Sequence, residues 1–194
     1  MSNSRDQLLD AAIAVIREKG YAATRVDDIA AKASLTKGSF FHHFPTKEAC
    51  ARAAAARWTE FVEAAFVASG HRTAPTPAER VLSYIDIRIA LLEGPLNGYT
   101  CYAGTILQEV YETHPDLAAD CATFILNHAK TLEADLAAAL GSEADEAWGL
   151  AMHIQAVMQG SVLIAKAERS NRGAIASVRH LRRYLEARLK HNSE

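Results

Sequence analysis

The apolar residues of this chain recur at the three- and four-residue spacing of amphipathic helices, and no segment alternates apolar and polar residues long enough to predict a strand. The first helix has an apolar stripe formed by Leu8, Leu9, Ala12, Ile13 and Ile16. We expect this helix to begin with a capping box of Ser4 and Gln7 and to end at Gly20. The pattern therefore predicts an all-α chain.

Capping residues, glycine and proline mark helix ends, and their positions predict the remaining helices. Two short helices are expected over about 26–32 and from a Thr36 cap to about Phe44, and a long fourth helix follows Thr46. A linker at 71–77 separates these from a fifth helix, which Thr76, Pro77 and Glu79 begin with a capping box and which ends at 94–95. Four more helices are expected over about 102–113, 115–140, 143–170 and 173–190, which makes about nine in all.

Composition excludes several classes of protein. The chain is 49% hydrophobic and 23% charged, which is typical of a globular protein. No apolar run approaches the roughly 20 residues of a membrane span, and no signal-peptide core follows the N-terminus, so we expect a cytoplasmic protein with no membrane partner. The three cysteines, Cys50, Cys101 and Cys121, are too scattered for a disulfide framework.

Charge is segregated along the chain. Residues 71–165 carry twelve acidic and four basic residues, whereas residues 166–190 carry eight basic and two acidic ones. The first 47 residues hold seven basic and five acidic residues. Basic ends around an acidic middle favour an anionic partner at one end.

Two short helices around a tight turn, with a helix on either side, match the helix-turn-helix plan, whose second helix lies in the DNA major groove. Ala30 and Ala33 are small enough to let the two helices cross closely, while Phe40 and Phe44 give the second helix an inward edge. The outward positions are all polar or without a side chain: Thr36, Lys37, Gly38, Ser39, His42 and His43.

The stretch 20–48 resembles the DNA-binding domain of TetR-family transcriptional regulators. The resemblance covers about residues 4–64 and rests on Gly20 at the end of helix one, on the spacing from Thr24 to Ile29 and Ala30, and on the run Phe41-x-His43-Phe44-x-x-Lys47-Glu48. It implies a helix-turn-helix domain over 1–47, extending to about 64 through helix four, and a helical effector-binding and dimerisation domain over 48–194.

The resemblance also implies a role for individual residues of the first domain. Lys37 and Gly38 would meet base edges with Thr36 and Ser39 beside them, and a lysine can reach guanine O6 and N7. The phosphate backbone would be contacted by Phe41, His42, His43 and Lys47, with Thr24 and Arg25 anchoring the start of helix two.

Two residues depart from the family pattern. Phe41 replaces the usual Tyr and removes a hydroxyl contact, while Ser34 replaces the usual turn Gly at a cost of about 1 kcal/mol.

The second domain resembles one subgroup of the family at Cys101-Tyr-Ala-Gly-Thr-Ile-Leu-Gln-Glu. By this resemblance the protein is a homodimer through its last two helices, where Ala156, Gly160 and Ser161 permit close helix crossing, and it represses transcription from a palindromic operator. A small hydrophobic or aromatic effector would release it. We expect the effector pocket to be lined by Trp58, Phe61, Tyr84, Ile87, Leu91, Tyr102, Tyr111, Phe124 and His153.

Alternative functions stay open at this point. One is a DNA-binding regulator controlled by a protein partner or by thiol oxidation, and another is a helical enzyme or carrier with a degenerate head. A metal site of His114, Cys121 and His128 lacks a fourth ligand, and Cys101 with His128 or His153 lacks any nucleophile signature, so we expect no metal, cofactor or catalytic site.

The last helix offers a further alternative, a second DNA surface. Its basic residues are Arg179, Arg182, Arg183, Arg188 and Lys190. A solvated face is favoured instead, because an apolar stripe lies opposite these charges: Val178, Leu181, Leu185 and Leu189.

Overall fold

The computed structural model describes residues 3–190, except for the side chains of residues 97, 142 and 190. The outer ends of the two predicted domains (1–2 and 191–194) and the basic side chain predicted at Lys190 lie outside the described residues. Within 3–190 the chain is all-α, as predicted, with ten α-helices and no strand. The helices are α1 (Ser4–Lys19), α2 (Val26–Lys32), α3 (Lys37–His43), α4 (Lys47–Ala68), α5 (Pro77–Leu92), α6 (Leu96–Tyr99), α7 (Tyr102–Val110), α8 (Pro115–Leu140), α9 (Ala147–Glu168) and α10 (Arg172–Lys190).

Most helix ends lie where their capping residues predict. The Thr76 hydroxyl accepts from the Glu79 N–H at 3.2 Å and the Glu79 carboxylate accepts from the Thr76 N–H at 3.0 Å, which confirms the capping box of α5. The capping box predicted at Ser4 is wrong, because the side chain of Asn3 caps α1 by accepting from the Asp6 N–H at 2.9 Å. Asparagine and serine are equally good caps, so the sequence alone did not choose between these neighbours.

Three boundaries differ from the prediction. The single turn α6 was not foreseen. Helix α7 ends at Val110, whose carbonyl accepts from the N–H groups of both Thr113 and His114 in the following turn. Helix α9 begins at Ala147 because the preceding stretch, Gly141–Glu146, forms 3-10 turns.

The described chain divides into two compact units. The first comprises residues up to Glu63 together with Thr100–Phe124, so it contains α1–α3, most of α4, α7 and the start of α8. In it Tyr102 of α7 is fully buried, and its hydroxyl donates to the Ala51 carbonyl at 2.9 Å. The segment 100–124 therefore packs with the helix-turn-helix, although the predicted domain boundary at residue 47 assigns the two to different domains.

The second unit comprises Ala64–Tyr99 and the chain from Ile125 onward. Helix α10 buries the four apolar residues of its predicted stripe: Val178, Leu181, Leu185 and Leu189. Two of its arginines are paired with carboxylates, since Arg182 lies 2.6 Å from Asp86 and Arg188 lies 3.1 Å from Glu146. These pairs support a solvated face on α10 rather than a second DNA surface. None of the described helices is long and apolar enough to cross a membrane.

Candidate nucleic-acid interface

The turn between α2 and α3 has the geometry of a helix-turn-helix. Ser34 lies in the left-handed region at φ 56°, which confirms the strained position predicted from the replaced glycine. The Ser34 N–H donates to the Ala31 carbonyl at 3.0 Å and the Leu35 N–H donates to the Ala30 carbonyl at 2.9 Å. These bonds let serine hold the turn that glycine normally provides.

Helix α3 is fixed by its cap and by its aromatic edge. The Thr36 hydroxyl accepts from the Ser39 N–H at 3.1 Å. Phe40 and Phe44 are buried as predicted, with ring centroids 5.7 Å apart. With this edge in the core, the opposite face of α3 is turned to solvent. Its exposed residues are Lys37, Gly38, Phe41 and His42, with Ser39 and His43 partly buried beside them.

Gly38 is the residue of this face that the fold does not require. Its φ lies outside the left-handed region, and a Cβ built there would meet only the Thr36 hydroxyl, at an ordinary contact distance of 3.6 Å. A glycine within a helix costs about 1 kcal/mol relative to alanine. Neither backbone conformation nor packing within the described chain therefore requires a glycine at this position.

Lys37 is held loosely by a neighbour on α2. Its ammonium lies 3.2 Å from the Asp27 carboxylate, and its side chain remains 58% exposed. An ion pair this exposed contributes little stability, so the ammonium can leave it for an external acceptor at little cost. Asp27 was missed by the sequence analysis because nothing in a ten-residue separation indicates the contact.

Lys47 connects the start of α4 to the turn between α1 and α2. Its ammonium donates to the carbonyls of Tyr21 at 2.9 Å and Thr24 at 3.0 Å, and it lies 4.1 Å from the centre of the Tyr21 ring. Burial lowers the pKa of this ammonium, and the Glu109 carboxylate opposes that effect. Two of its three N–H donors are thus used inside the domain.

Thr24 and Arg25 differ from each other in exposure. Thr24 is only 1% exposed, and its hydroxyl donates to the Gly20 carbonyl at 2.6 Å. The Thr24 side chain is therefore not placed to contact a phosphate as expected, because it closes the turn instead. Arg25 stays exposed at the start of α2, where its backbone N–H donates to the Asp28 carboxylate at 2.7 Å.

Glu109 is a residue of this region that the sequence analysis did not single out. Its carboxylate accepts from the Ala22 N–H at 2.7 Å, and a Cβ at Gly20 would overlap it. The available signal was its place at the end of the Cys101–Glu109 motif. At the start of that motif, the Cys101 sulfur caps α7 by accepting from the Gly104 N–H at 3.3 Å. The motif therefore builds a short helix that supports the α1–α2 turn.

The residues expected to line the effector pocket differ widely in exposure. Tyr84 and Tyr102 are core residues with almost no exposure, whereas Tyr111 is 65% exposed and Leu91 is 46% exposed on the surface. The remaining members differ in exposure as well. Ile87 and Phe124 are partly buried and His153 is exposed, while Trp58 and Phe61 line a cavity beside α1. Helical periodicity separates inner from outer faces but does not show which inner faces enclose a space.

Burial limits the chemistry of two cysteines and of His128. Burial raises the pKa of Cys50 and of Cys121 to about 12, so neither thiol forms a reactive thiolate near neutral pH. The His128 ring nitrogen lies 2.9 Å from the Tyr84 hydroxyl, and burial lowers the pKa of His128 to about 3. Within residues 3–190 no three His, Cys, Asp or Glu side chains are arranged to hold a metal ion.

Comparison with known proteins assigns both halves of the chain. Residues 8–54 match the family model of bacterial regulatory proteins of the tetR family, and residues 77–175 match that of the C-terminal domain of LmrA/YxaF-like transcriptional regulators. The regulator CymR of Pseudomonas putida is 46% identical over 44 residues, which are 23% of this chain and 22% of CymR. The repressor DhaR of Mycobacterium sp. (strain GP1) is 29% identical over 90 residues, which are 46% of each chain. These matches span less than half the length of the curated relatives.

Solved structures share the fold over nearly the whole chain. A TetR transcriptional regulator from Legionella pneumophila superposes with a TM-score of 0.81 at 20% identity and covers 96% of this chain and 97% of its own. One from Chloroflexus aurantiacus superposes with a TM-score of 0.80 at 25% identity and covers 94% of each chain. With a helix-turn-helix at one end and a matching C-terminal domain over just over half of its length, the chain belongs to the TetR family and is a DNA-binding transcriptional regulator, not an enzyme.

Proposed function

We propose that this protein is a homodimeric repressor that binds a palindromic operator through α3 and leaves it when a small hydrophobic or aromatic effector binds. The observation that carries the proposal is Gly38 beside Lys37 at the exposed start of α3, where neither backbone nor packing requires a glycine. The repressor DhaR among the relatives supports repression as the mode of control.

The exposed face of α3 offers groups for contacts to bases and groups for contacts to phosphates. Lys37 reaches guanine O6 and N7 after leaving Asp27, and the bare backbone at Gly38 lets α3 lie deep in the major groove. The remaining polar groups fix the position of the helix on the phosphates without reading sequence. These groups are Thr36, Ser39, His42, His43, Arg25 and the third N–H of Lys47, and Phe41 adds an apolar edge.

The dimer is proposed from one face of α9. Between Ala147 and Ala165 this helix has no Asp, Glu, Lys or Arg, and Leu163 on its outer face is 59% exposed. Six exposed residues recur at alternating spacings of four and three, as on a helix that packs along a partner helix. They are Gly149, His153, Ala156, Gly160, Leu163 and Ala167, and Trp148, Ile164, Lys166 and Glu168 are exposed beside this row. A Cβ at Gly149 or Gly160 would meet nothing within 4 Å, so their small size suits a neighbour outside the chain.

Symmetry then connects the dimer to its operator. A two-fold axis would place two α3 helices about 34 Å apart, one turn of DNA, on an inverted repeat. An effector that binds better to a form with a different spacing weakens DNA binding, and a coupling of about 1–3 kcal/mol changes the DNA affinity about 5–150-fold. Glu109 and Lys47 both hold the α1–α2 turn, so a shift of α7 or α4 would be transmitted to the helix-turn-helix.

The test of DNA recognition is selection of binding sites from a random duplex library with the purified protein. We expect enrichment of an inverted repeat, its loss with Lys37→Ala, and its retention with Lys130→Ala, an exposed lysine on α8. Failure of the wild-type protein to enrich any repeat, or equal enrichment by Lys37→Ala, would contradict the proposed role of α3.

The test of the dimer is the molar mass in solution by light scattering after size-exclusion chromatography. Gly160→Arg places a large cation in the proposed interface, and we expect it to shift the protein from dimer to monomer. Ala138→Arg places the same cation on an exposed position of α8 and should leave the mass unchanged. A dimer that persists in Gly160→Arg would place the interface elsewhere.

A further inference from the structure

Helices α1 and α4 border a cavity of about 460 Å³ within the first unit. This volume is in the range of sites that take small organic molecules. Four residues of its wall are charged and four are apolar. The charged ones are Asp10, Arg17, Arg57 and Glu60, and the apolar ones are Ile13, Ala14, Trp58 and Phe61. The rings of Trp58 and Phe61 lie 5.7 Å apart, so part of the wall is aromatic.

Two hydrogen-bond donors of this wall are buried without an acceptor. Trp58 is 7% exposed, and its indole N–H has no partner. One terminal nitrogen of Arg17, Nη2, is also buried and unpartnered, although the Nε of the same side chain donates to the Thr100 carbonyl at 2.6 Å. Buried donors are nearly always paired in folded proteins. Both donors are covered in this conformation, but they belong to side chains that line one cavity, so an acceptor reached by a small shift of those side chains would satisfy them.

The charges of the wall select the kind of acceptor. Arg57 is already paired with Asp10 at 2.6 Å, which leaves Arg17 as the buried cation. The Arg17 guanidinium lies 4.5 Å from the centre of the Trp58 ring, and burial lowers its pKa, so it gains from a nearby anion. Glu60 also lines the cavity and opposes a second negative charge. A ligand with one anionic group and an otherwise flat apolar body fits this wall.

We propose that this cavity binds an aromatic monocarboxylate, whose carboxylate accepts hydrogen bonds from Arg17 and Trp58 and whose ring lies against Ile13 and Phe61. A charge-assisted bond to a guanidinium is among the stronger hydrogen bonds in proteins, and the flat walls suit a ring. The binding site stands independently of the proposed function, and only its use as the effector site rests on that function. In that use, the ligand would act on the helix that precedes the helix-turn-helix and on the helix that follows it.

The experiment is isothermal titration of the full-length protein with benzoate, cinnamate and naphthoate. Benzamide is the neutral control and phthalate is the doubly charged one. We expect at least one monocarboxylate to bind with a Kd below about 1 mM, and its amide or dicarboxylate counterpart to bind at least about tenfold more weakly. Trp148→Phe leaves Trp58 as the single tryptophan, and its fluorescence should change on binding.

Two variants test the wall itself. Arg17→Met removes the cation at similar length, and Phe61→Ala removes an exposed ring that the core does not need, so the second variant folds even if the first does not. Each should weaken binding at least about tenfold, whereas Val67→Ala, also exposed on α4 but outside the cavity, should not. The site is refuted if no monocarboxylate binds, or if Phe61→Ala and a folded Arg17→Met bind as well as the wild type. Binding that leaves the DNA complex intact would refute only the effector role.

Discussion

Replacing Gly38 by alanine should stabilise the protein and at the same time weaken its binding to DNA. A new Cβ at this position would lie 3.6 Å from the Thr36 hydroxyl and would have no closer neighbour. The substitution therefore adds helix propensity to α3 without a steric cost. In complex with DNA, the same methyl group would occupy the space into which we propose a base edge or phosphate fits.

The size of each effect follows from the geometry. Glycine to alanine in a helix is worth up to about 1 kcal/mol, which for a chain of this size raises the Tm by about 2–4 °C. A methyl group that holds the helix away from the groove removes at least one base contact of about 1–3 kcal/mol, which lowers the DNA affinity at least about fivefold. The two effects have opposite signs, which a general loss of structure would not produce.

Thermal unfolding and fluorescence anisotropy with the selected operator measure the two effects on one preparation. Gly141→Ala is the matched control, because Gly141 also has open space around its Cβ but lies at φ 60°. It should lower the stability by about 1 kcal/mol and leave the DNA affinity unchanged. Wild-type DNA affinity in Gly38→Ala would refute the argument that the missing side chain serves DNA. A lower Tm would refute the packing argument.

Three further predictions test individual contacts. Ser34→Gly should raise the free energy of unfolding in urea by up to about 1 kcal/mol, since serine is strained at φ 56°, with no change in DNA affinity. The pKa of His128 is about 3 in the fold and about 6.5 when unfolded, so its contribution is complete above pH 6.5 and falls with acidification. The wild type should lose about 2 kcal/mol from this residue between pH 7 and 5, a loss absent in His128→Gln. Lys47→Met leaves the carbonyls of Tyr21 and Thr24 unpaired and should cost about 2–3 kcal/mol in urea unfolding, with Lys47→Arg intermediate.

Local features of the sequence predicted the helices well. The caps at Thr36 and Thr76 act over three residues, so both could be predicted from neighbouring residues. The left-handed Ser34 was predicted from the family resemblance, in which glycine is usual at this turn. The predicted cap at Ser4 was wrong by one position, because asparagine and serine cap equally well and Asn3 is the residue that caps α1. Helix boundaries depend on such small local preferences.

The site depends instead on contacts between distant parts of the chain. Glu109 meets Ala22 across 87 positions and Arg17 meets Thr100 across 83, and no periodicity relates such residues. The lining of the expected pocket stays a prediction, because it too depends on such distant contacts. Of its nine members only Trp58 and Phe61 line the described cavity. The other residues of that cavity come largely from α1, which the sequence indicated only as a support for the helix-turn-helix.

The hydrogen bond from Ala22 to Glu109 limits how the reading head can be exchanged between regulators. A chimaera that takes residues 1–64 from this protein and the rest from a relative would keep the exposed face of α3. It would lose the Glu109 carboxylate that holds the α1–α2 turn and the Tyr102 hydroxyl that donates to Ala51. Grafting 100–124 together with the head would restore both contacts. The conformation of the helix-turn-helix in this chain therefore depends on two stretches that are far apart in the sequence, and a graft has to move them as a pair.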